Sequence, residues 1–206
     1  MNPHESNLVK KLRDKLMDKF EDIYIHRRPS NSPRLREHLE RQLGYVPILQ
    51  PDLDMIFRET SGKLNAVEVK SFTAAEFGKN MSFYKGIGQA LALHRYGFDH
   101  VALWHFISDD IPSDAINKYG AETWSFIRND MRLPLDFTYI KVNSINEDYT
   151  FSVMQYTDRQ SGIKLLPIDN PQFRIVWRNP NPIKNLRAQR VIRSSLELWL
   201  NGGLDG

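Results

Sequence analysis

The segment that most constrains this 206-residue chain is QPDLDMIFRETSGKLNAVEVK, residues 50–70. Residues 53–58 and 64–69 are rich in β-forming side chains and flank the turn sequence ETSGK, which predicts an antiparallel hairpin. Two carboxylates, Asp52 and Asp54, stand at the start of the first strand, and Glu68 and Lys70 at the end of the second. Residues two apart in a strand share a face, so Asp52 pairs with Asp54 and Glu68 with Lys70. An antiparallel pair sets the start of one strand beside the end of the other, so all four groups are expected at one end of the hairpin. Glu68 sits inside the apolar run AVEV, where a charge is costly unless it is paired or bound to a metal.

Two or three carboxylates and a backbone carbonyl, here that of Val69, make a hard-oxygen site suited to Mg²⁺ or Mn²⁺. Such an ion polarises a scissile phosphate and lowers the pKa of a bound water. A lysine beside that water orients it, stabilises developing charge, or acts as base if its own pKa is depressed. The expected chemistry is phosphodiester hydrolysis. E-x-K alone is close to noise, and the combination of PD, hairpin and E-x-K is what gives the pattern its specificity.

Around the hairpin, apolar spacing predicts helices over residues 5–20, 33–43, 82–96, 112–131 and 183–200. The fourth is expected to be capped by Ser113 or Asp110. Strands are expected over residues 22–26, 100–107, 137–142 and 149–156, the last two as an antiparallel pair. This order predicts an α/β domain with a mixed central sheet flanked by helices. The Asn179-Pro180-Asn181-Pro182 break separates residues 1–178 from a basic amphipathic C-terminal helix in 179–206, packed on the domain or on a partner subunit.

Charge is uneven although the net is only +3. Residues 1–50 carry 10 Lys/Arg against 7 Asp/Glu, residues 51–170 carry 12 against 16, and residues 171–206 carry 6 against 2. Basic ends favour a polyanion through counterion release, and an acidic middle suits a divalent cation, although a solvated surface has the same look. There is no cysteine, which removes disulfides, thiolate nucleophiles and Cys-ligated zinc. A polar N-terminal stretch and the lack of an apolar run of membrane length lead to the expectation of an intracellular, cytoplasmic protein with no membrane partner. Gly86-Ile87-Gly88 lacks the third glycine of a dinucleotide loop, and there is no P-loop, HExxH or G-x-S-x-G. His94, His100 and His105 read as structural, and Trp104, Trp124 and Phe126 as core. Asn80-Met81-Ser82 is a glycosylation sequon by pattern alone.

From about Pro51 to Phe106 the chain resembles the PD-(D/E)xK nuclease superfamily, whose archaeal and viral nucleases and Holliday-junction resolvases share a restriction-endonuclease-like fold. The resemblance implies such a core, a Mg²⁺ (or Mn²⁺) cofactor and DNA as partner. Glu68 and Lys70 match E-x-K. The PD pair favours Asp52 as motif aspartate, while Pro51-Asp52-Leu53-Asp54 also resembles a P-E-I-D variant whose fourth residue is the ligand, which sets Asp54 first with Asp52 nearby. The metal set implied is Asp54, Glu68, Asp52, the Val69 carbonyl and Glu5. Glu5 matches a further acid on the first helix and extends the stripe of Leu8, Val9 and Leu12, but the helix dipole alone also favours a carboxylate there. Tyr84 to Ala90 resembles the family's helix after E-x-K, with Gln89 as the glutamine that orients phosphate or lysine. Arg27, Arg28, Arg34, Arg36 and Lys85 are the expected phosphate contacts. Arg187, Arg190 and Arg193 either bind DNA or keep the last helix soluble, and that helix's apolar stripe suits a homodimer. The function expected is a metal-dependent DNA endonuclease, with junction resolution the favoured subtype; the rival is a catalytically silent nucleic-acid-binding protein with the same fold.

Overall fold

The computed structural model describes residues 3–75, 84–145, 148–156 and 163–204. Seven strands form one sheet in chain order: β1 (Asp22–Arg27), β2 (Leu53–Arg58), β3 (Leu64–Phe72), β4 (His100–Ser108), β5 (Asp136–Ile145), β6 (Asp148–Tyr156) and β7 (Ile163–Pro167). β1, β2 and β3 run antiparallel, β3, β4 and β5 parallel, and β5, β6 and β7 antiparallel again. Each parallel step needs a crossover. The first contains helix α3 (Ile87–Leu93) and the second α4 (Ser113–Ser125). The chain is thus α/β, with a mixed sheet covered by helices.

The two faces of the hairpin feed two cores. Ile56 and Ala66 turn to the face covered by α2 (Pro33–Leu43), α3 and α5 (Arg187–Leu200), through Leu35, Leu39, Ala90, Leu93, Ile192 and Leu196. Met55, Phe57, Val67 and Val69 turn to the other face, covered by Leu8, Val9, Leu12 and Leu16 of α1 (Pro3–Leu16). β3 and β4 are buried on both sides, which is why HVALWHFI reads as a continuous apolar run rather than an alternating one.

Several expected boundaries move for local reasons. α1 stops at Leu16, and Met17–Lys19 tightens into a 3₁₀ turn. The helix expected over residues 82–96 is shorter: Tyr84 to Gly86 form a turn, α3 begins at Ile87, and His94–Tyr96 is 3₁₀. Gly86, in the left-handed region at φ 88°, accounts for this start; Ser82, Phe83 and the sequon lie outside the described residues. Neither Ser113 nor Asp110 caps α4, because Pro112 occupies the N-cap and no side chain closes it; a π-helical turn, Phe126–Asp130, follows. β7, a short edge strand ending in Pro167, was not anticipated.

α5 starts at Arg187 rather than at 183 and packs on the same chain. Asp99 holds it: its carboxylate accepts from Lys184 at 3.0 Å, Arg193 at 2.7 Å and the Leu64 backbone N–H at 3.0 Å. Arg193 is therefore a structural cation rather than a free DNA contact. Among the described residues no helix is long and apolar enough to cross a membrane.

Candidate active site

The site begins where β2 leaves β3. Their pairing runs from Arg58 opposite Leu64 to Met55 opposite Val67 and stops, while β3 continues to Phe72. Backbone N–H groups on the vacated edge of β3 need new acceptors. Asp54 supplies one, its Oδ2 accepting the Val69 N–H at 2.8 Å. Glu5, in the first turn of α1, supplies the other, its Oε2 accepting the Ser71 N–H at 2.9 Å. Two carboxylates thus replace the missing strand. The N–H and C=O of one strand residue lie on the same edge, so the Val69 carbonyl faces the same gap.

Glu68 and Lys70 project from that end of β3, with Lys70 Nζ donating to Glu68 Oε1 at 2.6 Å. Glu68 is 1% exposed, Asp54 6% and Glu5 5%. Glu68 Oε2 is buried without a hydrogen-bond partner among the described residues. Burial first, and then the charge of Glu68, push Asp54 up to about 7, against the pull of the Val69 N–H and Lys70. Burial likewise raises Glu68, with Lys70 opposing. For Lys70, burial acts downward but is outweighed by Glu68, Glu5 and Asp54, so the ammonium is held above its ordinary value. In this arrangement the surrounding carboxylates favour the ammonium form of Lys70.

A cavity of about 540 Å³ opens onto these groups and is lined also by Gln89, Arg28, Asp52 and His26. The hairpin geometry expected for Asp52 fails: it precedes β2, its side chain is 49% exposed, and it pairs with Arg28 at 3.1 Å. Asp52 is at the rim, while Asp54 is with Glu68. Gln89 enters from the first turns of α3. Gly86 lets that helix approach: a Cβ there would lie 2.9 Å from Lys70 Cγ and 2.7 Å from Leu103 Cδ1.

The remaining expected contacts scatter. Arg34 lies in a neighbouring cleft that shares Arg28 with the cavity. Arg27 is exposed with its guanidinium 5.8 Å from the Tyr24 ring, and Arg36 is exposed on α2. Lys85 is exposed over Phe72 at 4.9 Å, and Arg187 and Arg190 are exposed on α5; none of these five lines the cavity. Trp104 is core as expected, but Trp124 is 44% exposed. His105 is core: its Nε2–H donates to the Lys85 carbonyl at 3.1 Å, and burial drives its pKa down to about 3. His94 and His100 are also buried, the latter's Nδ1 3.1 Å from the Asn179 carbonyl. His26 was not anticipated. It is the last residue but one of β1, in the left-handed region at φ 52°, with Nε2 3.1 Å from Ser6 Oγ, one residue after Glu5. Its only sequence signal is a polar residue closing the strand DIYIH beside Arg27 and Arg28.

The donor chemistry suits a hard divalent cation. The hydrogen bonds described engage one oxygen each of Asp54, Glu5 and Glu68, and Glu68 Oε2 has none. As placed, however, the described residues contain no group of three or more His, Cys, Asp or Glu side chains arranged to hold a metal ion.

No family model matches the chain, and no curated protein matches it. Among solved structures, Pyrococcus furiosus SfsA in complex with Ca²⁺ is similar at 13% identity and a TM-score of 0.34, covering 76% of this chain and 60% of that one. The chain thus spans about three fifths of the SfsA chain's length.

Proposed function

We propose that this chain is a Mg²⁺- or Mn²⁺-dependent DNA endonuclease of the PD-(D/E)xK type, with a restriction-endonuclease-like core and a preference for branched DNA such as four-way junctions. The observation that carries this reading is the convergence of Glu5, Asp54, Glu68, Lys70 and Gln89, from α1, β2, β3 and α3, on one cavity. Three buried carboxylates beside one ammonium are an unfavourable grouping for a purely structural site.

In this reading Asp54, Glu68, Glu5 and the Val69 carbonyl hold the cation. Bound there, it supplies Lewis-acid polarisation of the phosphate and activation of water. Lys70, kept cationic by Glu68, orients the attacking water and offsets charge on the phosphate oxygens. Gln89, from α3, positions phosphate or Lys70. Arg28 at the rim meets the backbone once phosphate displaces Asp52. These phosphate contacts position the substrate and carry little sequence information.

A second reading is a nucleic-acid-binding protein without activity. It is favoured by the resting arrangement, in which Lys70 and two backbone N–H groups already occupy oxygens of the three carboxylates. Incubating linear, nicked, flapped and four-way DNA with Mg²⁺ or Mn²⁺ separates the two. Cleavage abolished by EDTA supports the endonuclease; tight binding without cleavage in either metal supports the rival. A sedimentation series at rising concentration tests the homodimer.

A further inference from the structure

Beside the catalytic cavity lies a second cleft of about 510 Å³, between the turn that opens α2 and the end of α5. Its walls carry Arg28, Asn31, Arg34, Trp199 and Leu204, and among the described residues no acidic side chain lines it. Arg28 also lines the catalytic cavity, so the two openings share a wall residue. We infer, building on the nuclease reading above, that this cleft receives an unpaired nucleotide of the nucleic-acid strand next to the scissile phosphate, its base on Trp199 and its phosphates on Arg28 and Arg34.

Three features argue for this occupant. First, the charge is one-sided: among the described residues the cleft is lined by two arginines and no carboxylate, while the partner of Arg28, Asp52, lines the neighbouring cavity. Arg28 is 59% exposed, which leaves it open to a phosphate. Second, an indole in a wall that also holds two arginines offers a base a ring to stack on and tolerates any sequence. A base stacked within a duplex has its faces covered, so only an unpaired base can use it. Third, the cleft is built rather than fluid. Arg34 Nη1 donates to the Leu204 carbonyl at 3.4 Å, and Trp199 packs on the core under α5. The helix that ends the described chain thereby gains a role other than solubility: it presents Trp199 to the substrate, while Arg187 and Arg190 line neither opening.

The test measures binding separately from cleavage. Fluorescence anisotropy in EDTA compares a blunt duplex with the same duplex bearing a three-nucleotide 5′ or 3′ single-stranded extension. The parent chain is expected to prefer one extension. Trp199→Ala should weaken that complex by about 5- to 100-fold, the worth of one stacked base, and leave the blunt duplex within about twofold. Trp199→Phe, which keeps a ring, should retain most of the preference and controls for folding. Arg34→Ala should weaken the extended substrate and flatten its salt dependence. Equal losses on both substrates, no loss on either, or an altered oligomeric state with unchanged DNA affinity would each overturn the assignment. The two readings fail separately. A chain that cuts DNA but shows no Trp199-dependent preference loses the cleft and keeps the nuclease. One that shows the preference and never cuts loses the nuclease and keeps the cleft.

Discussion

Replacing Asp54 with Asn should stabilise the metal-free protein, and the gain should depend on pH. Asp54 is 6% exposed, and burial together with Glu68 lifts its pKa from 3.8 to about 7. A carboxyl whose folded pKa exceeds its unfolded value binds a proton in the fold that the unfolded chain has already lost. Stability therefore falls as pH rises from about 4, and the full penalty is present above about 7. At about 1.4 kcal/mol per pH unit, the cost is about 4 kcal/mol at pH 8 and about 2 kcal/mol at pH 5. Asn keeps an oxygen for the Val69 N–H and carries no charge. Chemical denaturation at pH 8 in EDTA should therefore find Asp54→Asn more stable than the parent by up to about 4 kcal/mol, and by about half that at pH 5. Saturating Mn²⁺ should stabilise the parent at pH 8 and leave the variant nearly unmoved. An Asn variant that is less stable at pH 8, or a difference independent of pH, would refute the view that this site holds charge at a cost to the fold.

Four other outcomes follow from the same structure. Asp52→Asn, which frees Arg28 from its 3.1 Å ion pair, should raise DNA affinity at low salt a few-fold and preserve cleavage, whereas Asp54→Asn should abolish it; anisotropy and single-turnover rates distinguish them. Gly86→Ala forces a Cβ to 2.9 Å from Lys70 Cγ at a φ of 88° that alanine disfavours, so cleavage should fall more than tenfold at a stability cost of about 1–3 kcal/mol, checked by kcat alongside thermal melting. Asp99→Ala leaves the Leu64 N–H without its acceptor and removes a carboxylate from Lys184 and from Arg193, which keeps Glu197, and should cost about 2 kcal/mol, with earlier proteolysis of α5. Its cation and backbone partners hold Asp99 below the usual carboxylate range despite burial, so its contribution is present at neutral pH and lost as pH falls through the folded pKa. His105, neutral in the fold with a pKa of about 3, refuses a proton that the unfolded chain accepts below 6.5; about 3 kcal/mol of stability should be lost between pH 7 and 4, and His105→Phe should remove that slope.

How far the chemistry was legible depended on how local each signal was. The hairpin, the E-x-K pair and the apolar β4 are written in contiguous residues, and the structure gives β2, β3 and β4 close to the expected bounds. The choice between Asp52 and Asp54 was not legible. It turns on where β2 peels from β3, which is set by β1 pairing as far as Leu53 and by α1 delivering Glu5 to the Ser71 N–H, both contacts distant in sequence. The helix dipole and an inward reach predict the same Glu5, and only the packing of α1 separates them. His26 carried no pattern, because a residue in the left-handed region is invisible to period-2 alternation. Arg193 reads like Arg187 and Arg190 in a basic helix, and its inward turn is fixed by Asp99, 94 residues away.

The most direct test of the central claim is a single-turnover cleavage assay on branched and linear DNA in Mn²⁺, comparing the parent with Glu68→Gln and Lys70→Met at matched DNA occupancy. The account predicts metal-dependent cleavage by the parent and a loss of at least about 100-fold in each variant with binding retained. Cleavage at the parental rate in both variants would contradict it.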